Sequence, residues 1–327
     1  MNKIENIWYG QSPWRYLLLP FSALFCLLST LKRWIYRLGL IKPQKVKVPV
    51  IVIGNISVGG TGKTPLVAWM VDHLRSQGYK PAIISRGYGG KAKKWPQQVR
   101  SDSDPQMVGD ETVLLARRCG CPVAAAPQRI SAARALLKYA DCDIIISDDG
   151  LQHYDMHRDL EIAVVDGVRR FGNGHCLPAG PLREPVSRLN SVDMVVINGV
   201  AGRNEFSMKL KGDQLTRIDK PHIVQPLKAL AGCRVHGVAG IGNPKRFFDQ
   251  LRASGLEVIE HPMPDHHPYD ASDIQFSDDL PVIMTEKDAV KCQGFVNEHH
   301  WVLPVSAELD DVFVHRLNLL LKRINNG

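Results

Sequence analysis

The sequence lacks a cysteine pattern that would indicate a metal site or a disulfide framework. Its seven cysteines are odd in number and scattered, and Cys119-x-Cys121 has no second pair. Zinc sites and disulfide-rich domains need repeated, closely spaced cysteines, so both classes are excluded. The pattern favours reduced thiols in the cytosol.

The sequence also lacks the signatures of nucleic-acid binding. It has no aromatic-rich sheet motif, and aromatic residues make up 7% of the chain. The net charge of +8 is moderate and suits an anionic small molecule or an anionic membrane surface. We therefore expect no nucleic-acid partner, and nothing in the sequence implies a protein partner.

No apolar run has the length that crosses a bilayer. The stretch Leu17–Leu31, fifteen residues by its numbering, spans about 22 Å as a helix, short of the roughly 30 Å hydrocarbon core. Arg15 precedes it, and Lys32 and Arg33 follow, but no small-x-small cleavage site does, so a signal peptide is not indicated. The pattern predicts a helix lying in the interface or dipping into one leaflet; a buried core helix is the alternative.

What the sequence does contain is enough for two folded units. Its 327 residues are 44% hydrophobic and 23% charged, which is ordinary for a globular protein. We predict a membrane-anchoring helix in residues 1–42 and a nucleotide-binding domain in 43–201. A β-ribbon linker in 202–230 and a smaller α/β lobe in 231–327 would follow.

One glycine-rich stretch carries the strongest motif. The β-branched run Val46–Ile53 predicts a buried parallel strand, and the apolar spacing after Pro65 predicts a helix. The turn between them predicts a phosphate-binding loop, with Lys63 on the β- and γ-phosphates and Thr64 on Mg²⁺. The strict motif has glycine at the position of Ser57, so a glycine-rich turn with a stray lysine is the alternative. The predicted nucleotide contacts are Ser57, Val58, Gly59, Gly60, Thr61, Gly62, Lys63 and Thr64.

A second motif follows another apolar run. Residues 143–147 predict a strand that ends in Asp148 and Asp149, as a Walker B element does. A carboxylate at this place holds Mg²⁺ directly or through water. The predicted metal ligands are Thr64, Asp148, Asp149 and Glu111.

Strands alternating with helices predict a P-loop NTPase-like, doubly wound parallel sheet. In such a sheet, the loops at the carboxyl ends of the strands face the ligand crevice. Polar side chains in those loops are candidate substrate contacts, and arginine suits phosphate oxygens in particular. These candidates are Arg86, Arg129, Arg183, Gln152 and His153.

Six segments together resemble the tetraacyldisaccharide 4′-kinase (lipid A 4′-kinase) family. They are Ser57–Pro65, Ser85–Gly90, Asp148–His153, Leu177–Glu184, Asp265–His267 and Thr285–Lys291. The resemblance covers nearly the whole chain. It implies transfer of the γ-phosphate of ATP, with Mg²⁺, to the 4′-hydroxyl of an acylated glucosamine disaccharide 1-phosphate. It also implies a location on the cytoplasmic face of a Gram-negative inner membrane.

The resemblance further implies a catalytic Asp–His pair, matched here by Asp110 and His266. Since one residue lies in each predicted lobe, lobe closure would assemble the pair. Lys63 is the third predicted catalytic residue. The alternatives are a helix-capping role for Asp110 and a turn position for His266.

Two rival functions share the phosphate-binding motif. Switch ATPases of the partitioning kind carry a signature lysine where this chain has Val58, and GTPases carry an Asn-Lys-x-Asp motif that is absent here. The sequence thus lacks the signature of either rival, and a membrane-associated P-loop ATPase or GTPase switch is the alternative to the kinase.

Overall fold

The computed structural model describes residues 3–325, which form nine α-helices and fifteen β-strands. The outermost residues of the predicted units 1–42 and 231–327 lie outside this range. The helices are α1 (Lys3–Tyr9), α2 (Trp14–Arg37), α3 (Lys63–Ser76), α4 (Pro105–Val108), α5 (Asp110–Cys119), α6 (Arg129–Tyr139), α7 (Pro244–Ala253), α8 (Glu286–Cys292) and α9 (Asp311–Asn325). Three short 3-10 helices cover Val186–Ser191, Leu227–Leu230 and Ala271–Asp273.

The strands form two sheets. They are β1 (Val50–Gly54), β2 (Pro81–Ser85), β3 (Gln97–Val99), β4 (Val123–Ala125), β5 (Ile144–Asp148), β6 (Leu160–Asp166), β7 (Met194–Asn198), β8 (Phe206–Lys211), β9 (Gln214–Arg217), β10 (Val224–Pro226), β11 (Arg234–Ala239), β12 (Glu257–Pro262), β13 (Val282–Thr285), β14 (His300–Leu303) and β15 (Ser306–Leu309). The larger sheet has the order β15-β8-β7-β6-β1-β5-β2-β4-β3, and the smaller one β10-β9-β14-β13-β11-β12.

The larger sheet is parallel at its centre and covered on both faces. Strand β1 pairs in parallel with β5 and β6. Ile51 and Ile53 belong to one buried cluster with residues of α3, α5 and α9, while Val50 and Val52 belong to another with residues of α6. Because side chains alternate across a strand, these two clusters lie on opposite faces of the sheet. The predicted doubly wound α/β fold is confirmed.

Strand pairing differs from the predicted division of the chain at two places. The stretch predicted as a separate β-ribbon linker contributes β8 to the larger sheet, next to β7, and β9 and β10 to the smaller sheet. From the predicted C-terminal lobe, β15 returns to pair with β8, and Phe313 of α9 packs into the core of the larger sheet. Short alternating runs indicate strands, but they do not indicate which sheet a strand joins.

Helix α2 is longer than its apolar run. It has 24 residues, about 36 Å at 1.5 Å per residue, because the aromatic and basic flanks continue the helix. Pro20 lies within its second turn. Within residues 3–325, α2 is the one helix that could cross a membrane by length and composition.

Helix α2 buries a polar residue and exposes apolar ones, the reverse of a helix that packs into a protein core. Its one buried residue is Ser22, whose hydroxyl donates to the Cys176 carbonyl at 2.6 Å. Lys32 donates to the Gln152 carbonyl at 3.1 Å. Many of its large side chains are exposed, among them Leu17, Phe21, Leu24, Leu27, Leu31 and Trp34. The alternative of a buried core helix is therefore wrong.

Candidate functional site

The loop between β1 and α3 owes its shape to glycine. Gly59 and Gly62 have φ angles of +107° and +96°, in the left-handed region that other residues disfavour. Helix α3 begins at Lys63, directly after Gly62. The N–H groups of a helical first turn have no partners within the helix, and anions bind at such helix ends. Residues 57–64 thus have the strand–loop–helix geometry that the motif predicts.

Two asparagines hold the loop in place. Asn55 donates to Gly59 O at 3.4 Å and to Thr61 Oγ1 at 3.3 Å. Asn198, at the end of β7, donates to Thr61 O at 3.1 Å. A Cβ at Gly62 would lie 2.7 Å from Asn198 Nδ2, so the loop and this amide are closely fitted. Asn198 was not predicted from the sequence, where its only signal is its place at a strand end.

Asp148 and Asp149 end β5 beside this loop but have opposite environments. Asp148 is 2% exposed, and Ser85 donates to its Oδ2 at 3.2 Å, while its Oδ1 has no partner among the described residues. Burial, together with Glu111 and Asp149, raises the pKa of Asp148 to about 7.

Asp149 is instead neutralised by cations. Arg183 donates to both of its oxygens, at 2.8 and 3.1 Å, and Lys63 Nζ lies 3.6 Å away. Burial alone would raise the pKa of Asp149, but Lys63 and Arg183 outweigh it and hold that pKa well below its ordinary value.

Magnesium prefers oxygen ligands, usually one or two carboxylates completed by phosphate oxygens and water. The unpartnered oxygen of Asp148 fits such an ion, and Thr64 lines the same cavity. Asp149 pairs with Arg183 and Glu111 pairs with Lys287, and their ligation of the metal stays a prediction. No group of three or more His, Cys, Asp or Glu side chains within residues 3–325 is arranged to hold a metal.

Asp110 and His266 are in contact across the two lobes. His266 Nδ1 donates to Asp110 Oδ2 at 3.0 Å. The alternatives are also partly met: Asp110 opens α5 and accepts from Glu111 N at 2.8 Å, and His266 has φ of +61° in a turn. A capping residue and a turn residue thus form the pair, which neither local pattern alone would require. The neighbouring His267 turns away and bonds to Asp273.

Lys287 of α8 connects this pair to the surrounding carboxylates. Its Nζ lies 2.9 Å from Glu111 Oε1, 2.8 Å from Asp265 Oδ1 and 3.3 Å from His266 Nε2. Burial would raise the pKa of Asp110, but the bond from His266 and the charge of Lys287 lower it below its ordinary value. The bond to Asp110 in turn raises the pKa of His266. The sequence motif included Lys287, but its role had no local signal.

Four of the five predicted substrate contacts line one cavity; they are Arg86, Arg183, Gln152 and His153. Burial, together with the positive charges of Arg129 and Arg86, lowers the pKa of His153 to about 3.

Arg129 also borders that cavity but is fully buried, and it donates to the carbonyl oxygens of Asp148 and Asp149 at 3.0 and 3.2 Å. Arg129 stays a predicted substrate contact, since its Nε has no partner among the described residues. It holds the turn that carries both aspartates.

The cavity itself has a volume of about 850 Å³ and is lined from three sides. The phosphate-binding loop and the aspartates form one wall, and the second lobe contributes His266, Lys287, Gly242 and Arg246. The third wall comes from α2, through Phe25, Leu28, Ser29 and Lys32. A cationic, nucleotide-sized site and an exposed apolar helix thus share one space.

Comparisons with known proteins agree with this arrangement. The model of the family described as Tetraacyldisaccharide-1-P 4′-kinase matches residues 14–322. The Tetraacyldisaccharide 4′-kinase of Nitrosococcus oceani is 52% identical over 320 residues, covering 98% of this chain and 94% of that relative. The Tetraacyldisaccharide 4′-kinase of Methylobacillus flagellatus is 52% identical over 323 residues, covering 98% of this chain and 96% of that relative.

A solved structure agrees as well. The crystal structure of LpxK from Aquifex aeolicus, in complex with ATP, matches with a TM-score of 0.80 at 30% identity, covering 95% of this chain and 99% of that one. The likeness therefore extends over nearly the whole of both chains. By sequence and by fold, the chain belongs to the tetraacyldisaccharide-1-P 4′-kinase family.

Proposed function

We propose that the protein transfers the γ-phosphate of ATP to the 4′-hydroxyl of a tetraacylated glucosamine disaccharide 1-phosphate, a precursor of lipid A. The observation that carries the proposal is one cavity lined by Lys63, Asp148 and His266, with Asp110 bonded to His266. The names of the relatives supply the acceptor, and the ATP of the Aquifex structure supports the donor.

The phosphate-binding loop would receive the nucleotide phosphates. Phosphoryl transfer depends mainly on positioning and on neutralising the charge of the transferred group. Lys63 and the N-terminus of α3 supply positive charge at the loop. Arg183 lies on the same side, where it pairs with Asp149, and can turn its remaining donors toward phosphate oxygens.

Asp148 and Thr64 would hold the magnesium ion together with phosphate oxygens. When bound, Mg²⁺ neutralises phosphate charge and fixes the geometry of the phosphates. An ionised Asp148 without a cation is costly, as its raised pKa indicates, so metal and nucleotide would stabilise the carboxylate together.

Asp110 would accept the proton of the acceptor hydroxyl while the hydroxyl oxygen bonds to the γ-phosphorus and ADP leaves. His266 and Lys287 would keep Asp110 ionised and fix its orientation, because His266 bonds to Asp110 and Lys287 lies beside His266. Asp110 is a weak base, but the loose transition state of phosphoryl transfer requires little activation of the nucleophile. Positioning is therefore the main contribution of the pair.

The acceptor would enter from the side of α2. Phe25 and Leu28 of this helix line the cavity, next to the polar groups of Lys32 and Gln152. Acyl chains suit the apolar wall, while a sugar phosphate suits the lysine. Arg86 and His153 border the same space and are further proposed contacts.

The outward face of α2 would insert into the cytoplasmic leaflet of the inner membrane. Its exposed leucines and phenylalanines have basic and aromatic residues at both ends, as interfacial helices do. Cytosolic ATP requires the cavity to face the cytoplasm. Removing residues before Lys42 should release the protein from vesicles and raise the KM for the lipid far more than the KM for ATP.

Radiolabel transfer from ATP to a defined tetraacyldisaccharide 1-phosphate tests the proposal directly. The purified protein should label the lipid in a magnesium-dependent reaction and hydrolyse little ATP when the lipid is absent. Rapid nucleotide turnover without lipid, and no labelled lipid, would favour the switch ATPase instead.

A further inference from the structure

Arg169, which lies just beyond the end of β6, contacts three parts of the molecule. Asp166 accepts from its backbone N–H at 2.9 Å, which fixes the residue at the end of this strand. Its Nη1 donates to the Gly242 carbonyl at 2.5 Å, and its Nη2 lies 3.2 Å from Glu5 Oε1. The guanidinium also lies 5.1 Å from the centre of the Tyr9 ring. The side chain is 24% exposed, so these contacts are partly shielded from water.

The contact with Gly242 reaches the phosphate-binding loop. A Cβ built on Gly242 would lie 2.6 Å from Gly60 N and 3.3 Å from Gly59 Cα. The backbone of the second lobe therefore packs directly on the glycines of the loop, with no room for a side chain between them. Whatever fixes Gly242 thus fixes how the second lobe covers the nucleotide phosphates.

The contact with Glu5 and Tyr9 reaches the N-terminal helices. Both residues belong to α1, which precedes the exposed helix α2 by a short turn. Asn173, four residues after Arg169, donates to Ile7 O at 3.1 Å and its N–H donates to Trp8 O at 3.0 Å. Helix α1 is therefore docked on the loop that begins at Arg169.

We propose that Arg169 is a positioning residue that couples docking of α1 to closure of the second lobe over the phosphate-binding loop. One guanidinium bonds both sides at once, which its planar fork of donors permits and a lysine ammonium does not reproduce. When a membrane holds α1 and α2 in place, Arg169 keeps Gly242 on Gly60 and ATP binds more tightly. This inference rests on the proposed nucleotide site and membrane contact, and it assigns no chemical step to Arg169.

The chain offers a matched control in the adjacent arginine. Arg170 has the same charge and also forms an ion pair, with Glu205 at 3.0 Å, but it has no bond to Gly242. Substitution of either arginine by glutamine removes one positive charge from the same turn. Differences between the two variants therefore report the contacts and not the charge.

The experiment measures ATP binding and steady-state kinetics for the wild type, Arg169→Gln and Arg170→Gln. We expect Arg169→Gln to raise the KM for ATP about tenfold, the cost of one charge-assisted hydrogen bond, with kcat within about twofold. Arg170→Gln should stay within about twofold in both. Equal effects of the two variants would overturn the inference, since they would indicate a general charge effect.

Vesicles separate coupling from a merely structural role. With phosphatidylethanolamine–phosphatidylglycerol vesicles, wild-type ATP affinity should increase, and ATP should tighten vesicle binding by the same factor. Arg169→Gln should lose this dependence while keeping a wild-type melting curve. A vesicle effect that persists in Arg169→Gln would overturn the proposal.

A second variant keeps the test independent of how Arg169→Gln folds. Glu5→Gln changes only a carboxylate of α1, yet it should raise the KM for ATP in the same direction, about threefold. The double variant should be no worse than Arg169→Gln alone, because both act through one contact. Additive losses, or no effect of Glu5→Gln, would contradict the coupling. A wild type that binds no ATP would instead overturn the proposed function itself.

Discussion

The two sides of the cavity are built differently. On the phosphate side, Asp148 ends β5, Asp149 follows it, and Lys63 begins the helix after β1. Because β1 and β5 are neighbours in the larger sheet, this sheet places all three residues. On the acceptor side, Asp110 and His266 come from different lobes and are held by Lys287 of α8. The phosphate side therefore depends mainly on the pairing of strands within one sheet. The acceptor side also requires the lobes to meet.

This difference separates two kinds of failure. A substitution on the phosphate side would weaken the neutralisation of charge on the transferred group. A substitution on the acceptor side would remove either the proposed base or the contact between the lobes. Variants on the two sides should therefore differ in their effects on kcat, KM and additivity.

The largest effect is expected on the phosphate side. Lys63→Ala and Asp148→Ala should each lower kcat by about 10³-fold, since loss of charge stabilisation in the transition state costs roughly 3 to 4 kcal/mol. Steady-state kinetics and a melting curve measure both quantities. Lys245→Ala removes an exposed lysine that pairs with Asp249 and serves as the control. Near-wild-type kcat in either site variant would contradict the assigned roles.

The next effect concerns the Asp110–His266 pair. Asp110→Asn keeps the shape and the helix-capping oxygen but removes the carboxylate, and kcat should fall by about 10² to 10⁴. His266→Ala should lower kcat as well, and the double variant should be little worse than Asp110→Asn, because the two act as a unit.

His267→Ala is the internal control for that pair, since His267 bonds to Asp273 and not to Asp110. Fully additive losses at Asp110 and His266, or a larger loss at His267, would show that the wrong residues have been paired.

A smaller effect is expected at Lys287. Lys287→Met removes the cation shared by Glu111, Asp265 and His266 and leaves the carboxylates to repel each other. We expect kcat to fall about 10- to 100-fold, in line with roughly 1.4 to 2.7 kcal/mol of lost positioning. Lys287→Arg should recover part of the activity. Unchanged kinetics in Lys287→Met would remove this residue from the acceptor side.

The smallest effect is a gain in stability, whereas the substitutions above lower activity. Folding raises the pKa of Asp148 from 3.8 to about 7, so this group favours the folded state below pH 4 and loses that contribution as pH rises through 7. Asp148→Asn should therefore raise the Tm of the metal-free protein by a few degrees at pH 8 and by less at pH 5. Thermal scans at the two pH values, without magnesium, measure this difference. A lower Tm at pH 8 would contradict the buried, unpaired state of Asp148.

The sequence predicted the phosphate side well because its information is local. Strands β1 and β5 form in the apolar runs predicted as strands, Val46–Ile53 and 143–147, and Asp148 ends β5. A strand, a glycine turn and a helix are each specified by neighbouring residues. The pairing of Asp110 with His266 was found only through the resemblance to a family, since 156 positions separate the two residues.

The failures share a physical cause. Lys287 and Glu111 are 176 positions apart, and no periodicity indicates that their helices meet. The bond from Arg129 to the Asp148 carbonyl likewise had no local signal, because tertiary packing buries this side chain. β15 returns to the larger sheet because it pairs with the open edge of β8. This pairing depends on topology and not on a local sequence pattern.

The place of α2 in the cavity wall has a kinetic consequence. Phe25 and Leu28 belong to the helix whose other face would lie in lipid. If that proposal holds, an acceptor dissolved in the bilayer would reach the cavity by lateral diffusion, without transfer of its acyl chains through water. The relevant concentration would be the mole fraction of acceptor in the membrane. Diluting the acceptor with inert phospholipid should slow the reaction even when its amount per volume is constant.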